Sequence, residues 1–232
     1  KEDLIWDLLL EFYGRPDISR DDNVELIITQ DEIRNSIIKS GGTPIVILPT
    51  QDMIYYNNNE KELSEFDKEI LNEQINLCDG IVMSGGYKIY FYDKYVCHVA
   101  NEKHIPLFGI CMGMQTMCCY NNENKNIKVE GHKEKNGNCT HNVKVMPNSK
   151  LFNILAKEEI LTNSFHSYAV PNSGSYTVSA VVGDVIEAVE KKDELFNIGI
   201  QWHPEKYDNE NSQNLFKAFI RACSIFHTKK LK

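Results

Sequence analysis

Hydrophobic and polar positions in the first half of the chain follow two alternating rhythms. Ile45–Leu48 is a short, uninterrupted apolar run, with Gly41-Gly42-Thr43-Pro44 before it and Pro49 after it. That punctuation predicts a buried strand. Before it, Asp31–Ser40 places apolar side chains at 33, 37 and 38, one face of a helix, and Gly41 suits the position just past its end. Ser64 followed by Asp67 predicts the capped start of a helix running through Phe66, Ile70, Leu71 and Leu77. Gly80–Met83 reads as the next strand and ends in Ser84-Gly85-Gly86. A helix over roughly Tyr95–Glu102 then leads through Pro106 into a strand at Leu107–Ile110. Fully apolar short strands alternating with helices predict βαβ units, an open and mostly parallel sheet covered by helices on both faces.

The second half changes character. His141–Met146 and Tyr176–Val182 have strand composition, and Asp184–Glu190 alternates apolar with polar. A turn at Gly183-Asp184 makes the last two an antiparallel hairpin extending the sheet. Phe196–Gln201 is a further strand, and apolar residues at 215, 216, 219, 220 and 223 give Asn211–Phe226 the face of a closing amphipathic helix. Asn57-Asn58-Asn59 and Asn121–Asn126 read as polar loops. With no internal repeat and no long linker, residues 1–232 are expected to form a single α/β domain.

Charge and cysteine usage narrow the classes. The 25 Lys+Arg against 33 Asp+Glu leave a formal charge of −8, the wrong sign for a general phosphate-backbone binder, so no nucleic-acid partner is expected. No apolar run approaches the ~20 residues that span a bilayer, so no membrane partner is expected either. The seven Cys include no C-x-x-C pair, which leaves no zinc-ribbon or redox signature. Lys1-Glu2-Asp3 followed by Leu4–Leu10 with Asp7 inside does not read as a signal peptide. Reduced thiols in a cytoplasmic setting are the expectation.

One cysteine stands apart. Leu107–Ile110 runs through Gly109-Ile110-Cys111-Met112-Gly113 into a helix, a strand–G-x-C-x-G–helix arrangement. It is the thiol counterpart of the G-x-S-x-G elbow, in which a sharp turn lifts a nucleophile above the sheet. The positive end of a helix favours a thiolate, and the Met112 N–H just past the nucleophile suits an oxyanion. A thiol nucleophile needs a base, and the base needs an orienter. Of seven His, His203 lies just after a buried strand and has Glu205 two residues on. The carboxyl ends of parallel strands are where such groups converge.

Gly-Ile-Cys-Met-Gly-Met-Gln at 109–115 together with Gln-Trp-His-Pro-Glu at 201–205 closely resembles the class I glutamine amidotransferases. Within them the chain looks most like the γ-glutamyl hydrolase branch (peptidase C26), which includes the γ-glutamyl-γ-aminobutyrate hydrolases. Gly41-Gly42-Thr43-Pro44 with Leu48-Pro49, Ser84-Gly85-Gly86, Asn163-Ser164-Phe165-His166 and Val185-Ile186-Glu187-Ala188 match further family segments, so the resemblance covers nearly the whole chain. It implies a flavodoxin-like open sheet and a cysteine-dependent hydrolase that cleaves a γ-glutamyl amide through a thioester, with no metal and no cofactor. Cys111, His203 and Glu205 would be the catalytic triad. Gly85, Gly86 and Met112 would supply the oxyanion hole, and Gln115, His166, Ser167 and Tyr168 would line the substrate pocket. A structural role for His166 and a helix-capping role for Gln115 are the competing readings.

Several positions depart from the hydrolase pattern. Ser167-Tyr168 replaces His-Gln after N-S-x-H, Tyr87-Lys88 follows the glycine loop where Asp is usual, and Tyr92-Asp93 stands where Arg-Asp is common. The first strand is only loosely recognisable in Leu8–Pro16. These positions would shape the pocket, so the substrate beyond a small γ-glutamyl compound or glutamine stays open. An alternative activity is the glutaminase subunit of an amidotransferase, passing ammonia to a separate synthase partner. A homo-oligomer is equally open. A non-catalytic binding module on the same fold would be marked by a broken triad, and here all three members are present.

Overall fold

The structure, a computed structural model, describes residues 7–11, 30–50, 63–86, 88–121, 125–133 and 139–232. The Asn57–Asn59 loop, Tyr87 and most of the Leu8–Pro16 stretch lie outside the described residues. Among those described, nine strands make one sheet: β1 (Asp7–Glu11), β2 (Thr43–Ile47), β3 (Ile81–Met83), β4 (Leu107–Ile110), β6 (Cys139–Val145), β7 (Glu159–Ser164), β9 (Thr177–Val182), β10 (Val185–Glu190) and β11 (Asn197–Ile200). Their order is β2-β1-β3-β4-β11-β10-β9-β6-β7. Two short strands, β5 (Ile127–Lys128) and β8 (Tyr168–Ala169), pair separately.

The sheet has two halves. From β2 to β11 every neighbour is parallel, and beyond β11 every neighbour is antiparallel. The antiparallel extension is therefore four strands wide, larger than the single hairpin predicted, although that hairpin is present as β9–β10. The added strands β6 and β7 carry solvent-facing polar residues and alternate in burial, which one-sided strands can tolerate.

Helices cover both faces of the parallel half. Side chains alternate along each strand: Val82, Phe108, Ile110, Ile198 and Ile200 face the core under α1 (Asp31–Lys39) and the long C-terminal α6 (Glu210–Lys230). Ile81, Met83 and Leu107 face the opposite core under α2 (Glu65–Asn76), α3 (Phe91–Glu102) and α4 (Met112–Cys119). Local chemistry explains the helix ends. The Ser64 hydroxyl accepts from the Asp67 N–H at 3.1 Å, and the Asp67 carboxylate accepts from the Ser64 N–H at 3.1 Å. At the end of α1, the nitrogens of Gly41 and Gly42 return to the carbonyls of Ile38 and Ile37. Helix α3 starts at Phe91, four residues earlier than predicted, because the Asp93 carboxylate accepts the Tyr90 N–H at 2.7 Å and anchors the first turn. A short α5 (Lys150–Leu155), not foreseen, is capped by Ser149 and offers its free Lys150 and Leu151 N–H groups to the buried Glu190 carboxylate.

Candidate active site

The site forms where β4 and β11 end side by side. Their register pairs Gly199 with Gly109 and Ile200 with Ile110, and the Cys111 N–H continues the ladder by donating to the Ile200 carbonyl at 2.8 Å. Cys111 then takes φ 53° and ψ −105° at the N-cap of α4. A side chain at positive φ is strained by ~1–3 kcal/mol, and it persists here because sheet and helix fix the residues on both sides. The sharp turn brings α4 so close to the sheet that a Cβ on Gly113 would lie 2.1 Å from the Met83 carbonyl oxygen. Only glycine fits there.

His203 follows β11, and its imidazole lies beside Cys111, both within reach of one point above Gly85. On the other side its Nδ1 lies 2.6 Å from Glu205 Oε1. All three residues are nearly buried, at 8%, 6% and 8% exposure for Cys111, His203 and Glu205. Burial alone would lower the His203 pKa. The adjacent Glu205 carboxylate and the Cys111 thiol outweigh it and raise the imidazole from 6.5 to about 10. Glu205 Oε2 is buried with no hydrogen-bond partner among the described residues.

Gly85 closes the site from β3. A Cβ on it would meet His203 Cε1 at 2.8 Å and Cys111 Cβ at 3.4 Å, so its backbone lies against both side chains. Gly86 is the next residue, and Met112 opens α4 with its N–H free of any intrahelical partner.

The residues expected to line the pocket divide. Gln115 is buried, and its amide group is fully occupied: Nε2 donates to the Tyr168 carbonyl at 3.0 Å and to Gln201 Oε1 at 3.1 Å, while Oε1 accepts from Asn126 at 2.7 Å. Tyr168 presents a half-exposed ring, and the Ser167 carbonyl accepts from the Val129 N–H. His166 is buried, with Nδ1 on the Tyr168 carbonyl at 3.1 Å and Nε2 near His132 and Glu187.

Two further residues touch the site, and in the sequence they stand only as letters of a motif. Gln201 Nε2 approaches the Cys111 sulfur at 3.4 Å. Asn163 holds the His203 backbone twice, donating to its carbonyl at 2.8 Å and accepting its N–H at 2.9 Å. The Q in Q-W-H-P-E and the N in N-S-F-H were the available signals.

The peptidase C26 family model matches residues 91–205, a span that contains the elbow and ends on Glu205. The γ-glutamyl-CDP-amidate hydrolase of Campylobacter jejuni is 30% identical over 159 residues, covering 62% of this chain and 71% of that one. The chain belongs to the peptidase C26 family of class I glutamine amidotransferase-like proteins. A GMP synthase (glutamine-hydrolyzing) from C. jejuni subsp. doylei is 31% identical over 167 residues, which cover 67% of this chain but only 32% of that longer protein. Among solved structures, the glutaminase domain of Trypanosoma brucei CTPS with bound acivicin superposes with a TM-score of 0.68 at 15% identity, covering 95% of this chain and 94% of that one. That likeness establishes the shared fold. The C26 chain is thus an enzyme of the amidotransferase and hydrolase type. Among the described residues, no helix is long and apolar enough to cross a membrane.

Proposed function

We propose that Cys111, His203 and Glu205 form the triad of a hydrolase that cleaves a γ-glutamyl amide through a thioester. The observation that carries this reading is the thiol on a strained elbow, beside an imidazole whose Nδ1 rests on a buried carboxylate. In the first half-reaction the Cys111 thiol passes its proton to His203 as the sulfur bonds to the side-chain carbonyl carbon. The developing oxyanion is met by the Met112 N–H and by backbone N–H groups of the Gly85-Gly86 loop. His203 gives its proton to the leaving nitrogen as the C–N bond breaks, leaving a thioester and a free amine. Water then attacks the thioester and passes a proton to His203. The C–S bond breaks as His203 returns that proton to the sulfur, restoring the thiol and releasing a γ-carboxylic acid that ionises to the carboxylate. Glu205 holds the ring in the tautomer that faces the sulfur and stabilises its charge.

Gln115 acts on the pocket through the two groups it holds, the Tyr168 carbonyl and the Gln201 amide. Ser167 and Tyr168 form the wall on the substrate side, and the buried His166 backs that wall through its bond to the Tyr168 carbonyl. All seven cysteines are described residues, buried and outside any disulfide, which suits the reducing cytoplasm.

The test is turnover of a panel of γ-glutamyl amines, glutamine and polyglutamylated substrates by the purified protein and by Cys111→Ala. The reading requires at least one substrate cleaved by the wild type alone and not by the variant. A second reading, a glutaminase subunit that delivers ammonia to a separate synthase, draws on the similarity to a GMP synthase. It requires glutamine hydrolysis that rises steeply only when a synthase partner is added.

A further inference from the structure

Apart from the catalytic pair, three imidazoles converge on one buried carboxylate. Glu187, on β10, is fully buried, yet neither of its oxygens has a hydrogen-bond partner among the described residues. Around it stand His132 Nδ1 at 3.1 Å, His166 Nε2 at 3.3 Å and His141 Nε2 at 3.6 Å, and His132 Nδ1 lies 3.2 Å from His166 Nε2. His132, His141 and Glu187 each bring one donor atom within 4.8 Å of the others.

The geometry points to a metal site: a divalent first-row cation, zinc foremost, bound by His132, His141 and Glu187, with His166 Nε2 as the fourth donor.

Three observations support it. The first is spacing. Ligand atoms ~2.0 Å from a tetrahedral zinc lie ~3.3 Å from one another; His132 Nδ1, His166 Nε2 and Glu187 Oε1 are 3.1, 3.2 and 3.3 Å apart, and His141 Nε2 lies 3.6 Å from Glu187 Oε2.

The second is proton accounting. His166 Nδ1 faces the Tyr168 carbonyl at 3.1 Å and so must carry the hydrogen, which in the neutral ring leaves a lone pair on Nε2. That lone pair faces Glu187 Oε1 and the His132 nitrogen. If the His132 N–H serves His166, it is not available to Glu187. His141 Nε2 also lacks a hydrogen-bond partner among the described residues. Hydrogen bonding within the cluster leaves a buried carboxylate and imidazole lone pairs directed at one another, and a cation between them satisfies all of these atoms together.

The third is the support around the cluster. A ligating imidazole usually donates its other N–H to a carbonyl or carboxylate, which fixes ring and tautomer, and Tyr168 does this for His166. The Ser164 hydroxyl likewise anchors the His132 carbonyl at 2.6 Å.

A donor set of three nitrogens and one carboxylate without thiolate fits zinc or another borderline cation rather than calcium or magnesium. Four protein donors in a buried setting are the mark of a structural site rather than one that activates water. The ligands come from β6, β10, the segment before β6 and the turn after β7, so a bound cation ties these parts of the extension together. The same Glu187 accepts the Gln201 N–H on its backbone carbonyl at 2.8 Å, and the Gln201 side chain touches the Cys111 sulfur.

The experiment uses the full chain carrying Cys111→Ala, because the Cys111–His203–Glu205 cluster is itself able to take up zinc. Metal-stripped protein is titrated with zinc and with cobalt(II), and bound metal is measured by mass spectrometry after dialysis. The expected result is one equivalent per chain and visible cobalt d–d bands with no sulfur-to-cobalt charge transfer. Affinity should fall at least about tenfold in His141→Ala and in Glu187→Gln. Zinc should also raise the unfolding temperature of the parent. Should these variants fail to fold, the cobalt spectrum of the parent still decides the ligand type. Binding below about a tenth of an equivalent, a sulfur charge-transfer band, or affinity unchanged in both folded variants would overturn the assignment.

Discussion

Asn163 grips His203 by both backbone groups, its side-chain amide answering the N–H and the carbonyl of the same residue. The two lie on elements joined by no strand pairing, β7 and the segment after β11. The position of the imidazole over Cys111 thus rests on a side chain 40 residues upstream.

Asn163→Ala would leave a buried donor and a buried acceptor without partners, at ~1–3 kcal/mol each. We expect a lower denaturation midpoint and a fall in kcat larger than any change in KM, because the ring moves while the pocket wall stays. Asn163→Asp, which keeps the acceptor, should recover part of the stability. Denaturant melts and steady-state kinetics on the same preparations check both statements.

The triad reading makes Cys111→Ala inactive, with a loss of ~10⁴-fold or more. A glutamine-like electrophile should modify Cys111 and spare Cys118 and Cys119. Burial pushes the Cys118 thiol far above its ordinary range and raises Cys119 as well. Peptide mass spectrometry of the labelled protein reads the site directly, and preferential modification at 118 or 119 would remove the elbow from its role.

Gly85→Ala tests the close packing of the site. The new Cβ would sit 2.8 Å from His203 Cε1, so the ring must swing away from the sulfur. Activity should drop ~10²-fold, as expected for a displacement of this order, with a far-UV spectrum indistinguishable from the wild type. Retained activity would mean that the ring tolerates a displacement the mechanism forbids.

Stability should depend on pH through His203. Its pKa is raised in the folded state from 6.5 to about 10, so its protonation favours folding. That contribution is fully present below about pH 6.5 and is lost as pH rises toward about 10. Glu205→Gln removes the carboxylate that raises the ring, so it should flatten this slope and lower the ring pKa. Denaturation midpoints across that range, with imidazole NMR shifts for the two proteins, measure both.

Much of this fold is legible in the sequence. Val82, Phe108 and Ile110 sit in apolar runs too short for helices, and their punctuation by Gly and Pro located the parallel strands. Cys111 and His203 were legible because an elbow and a post-strand histidine leave local traces. β7 was not: Glu159–Ser164 alternates buried and exposed residues along a mostly polar stretch, and only its pairing with β6 makes it a strand. Asn163 and Gln201 were visible as motif letters but not as positioning groups, since a side chain that binds distant backbone or sulfur leaves no periodicity. The convergence of His132, His141 and His166 on Glu187 likewise exists only once β6, β9 and β10 are paired.

The junction of β4 and β11 has a temporal consequence. During synthesis the elbow leaves the ribosome long before the strand that carries His203. Until that strand docks in register, beside Gly109 and Ile110, the nascent protein holds a sulfur with no proton partner. A one-residue slip would turn every side chain of β11 to the wrong face. On the triad reading, turnover requires the β4–β11 pairing, and a kinetic assay begun at dilution from denaturant would follow the formation of that pairing.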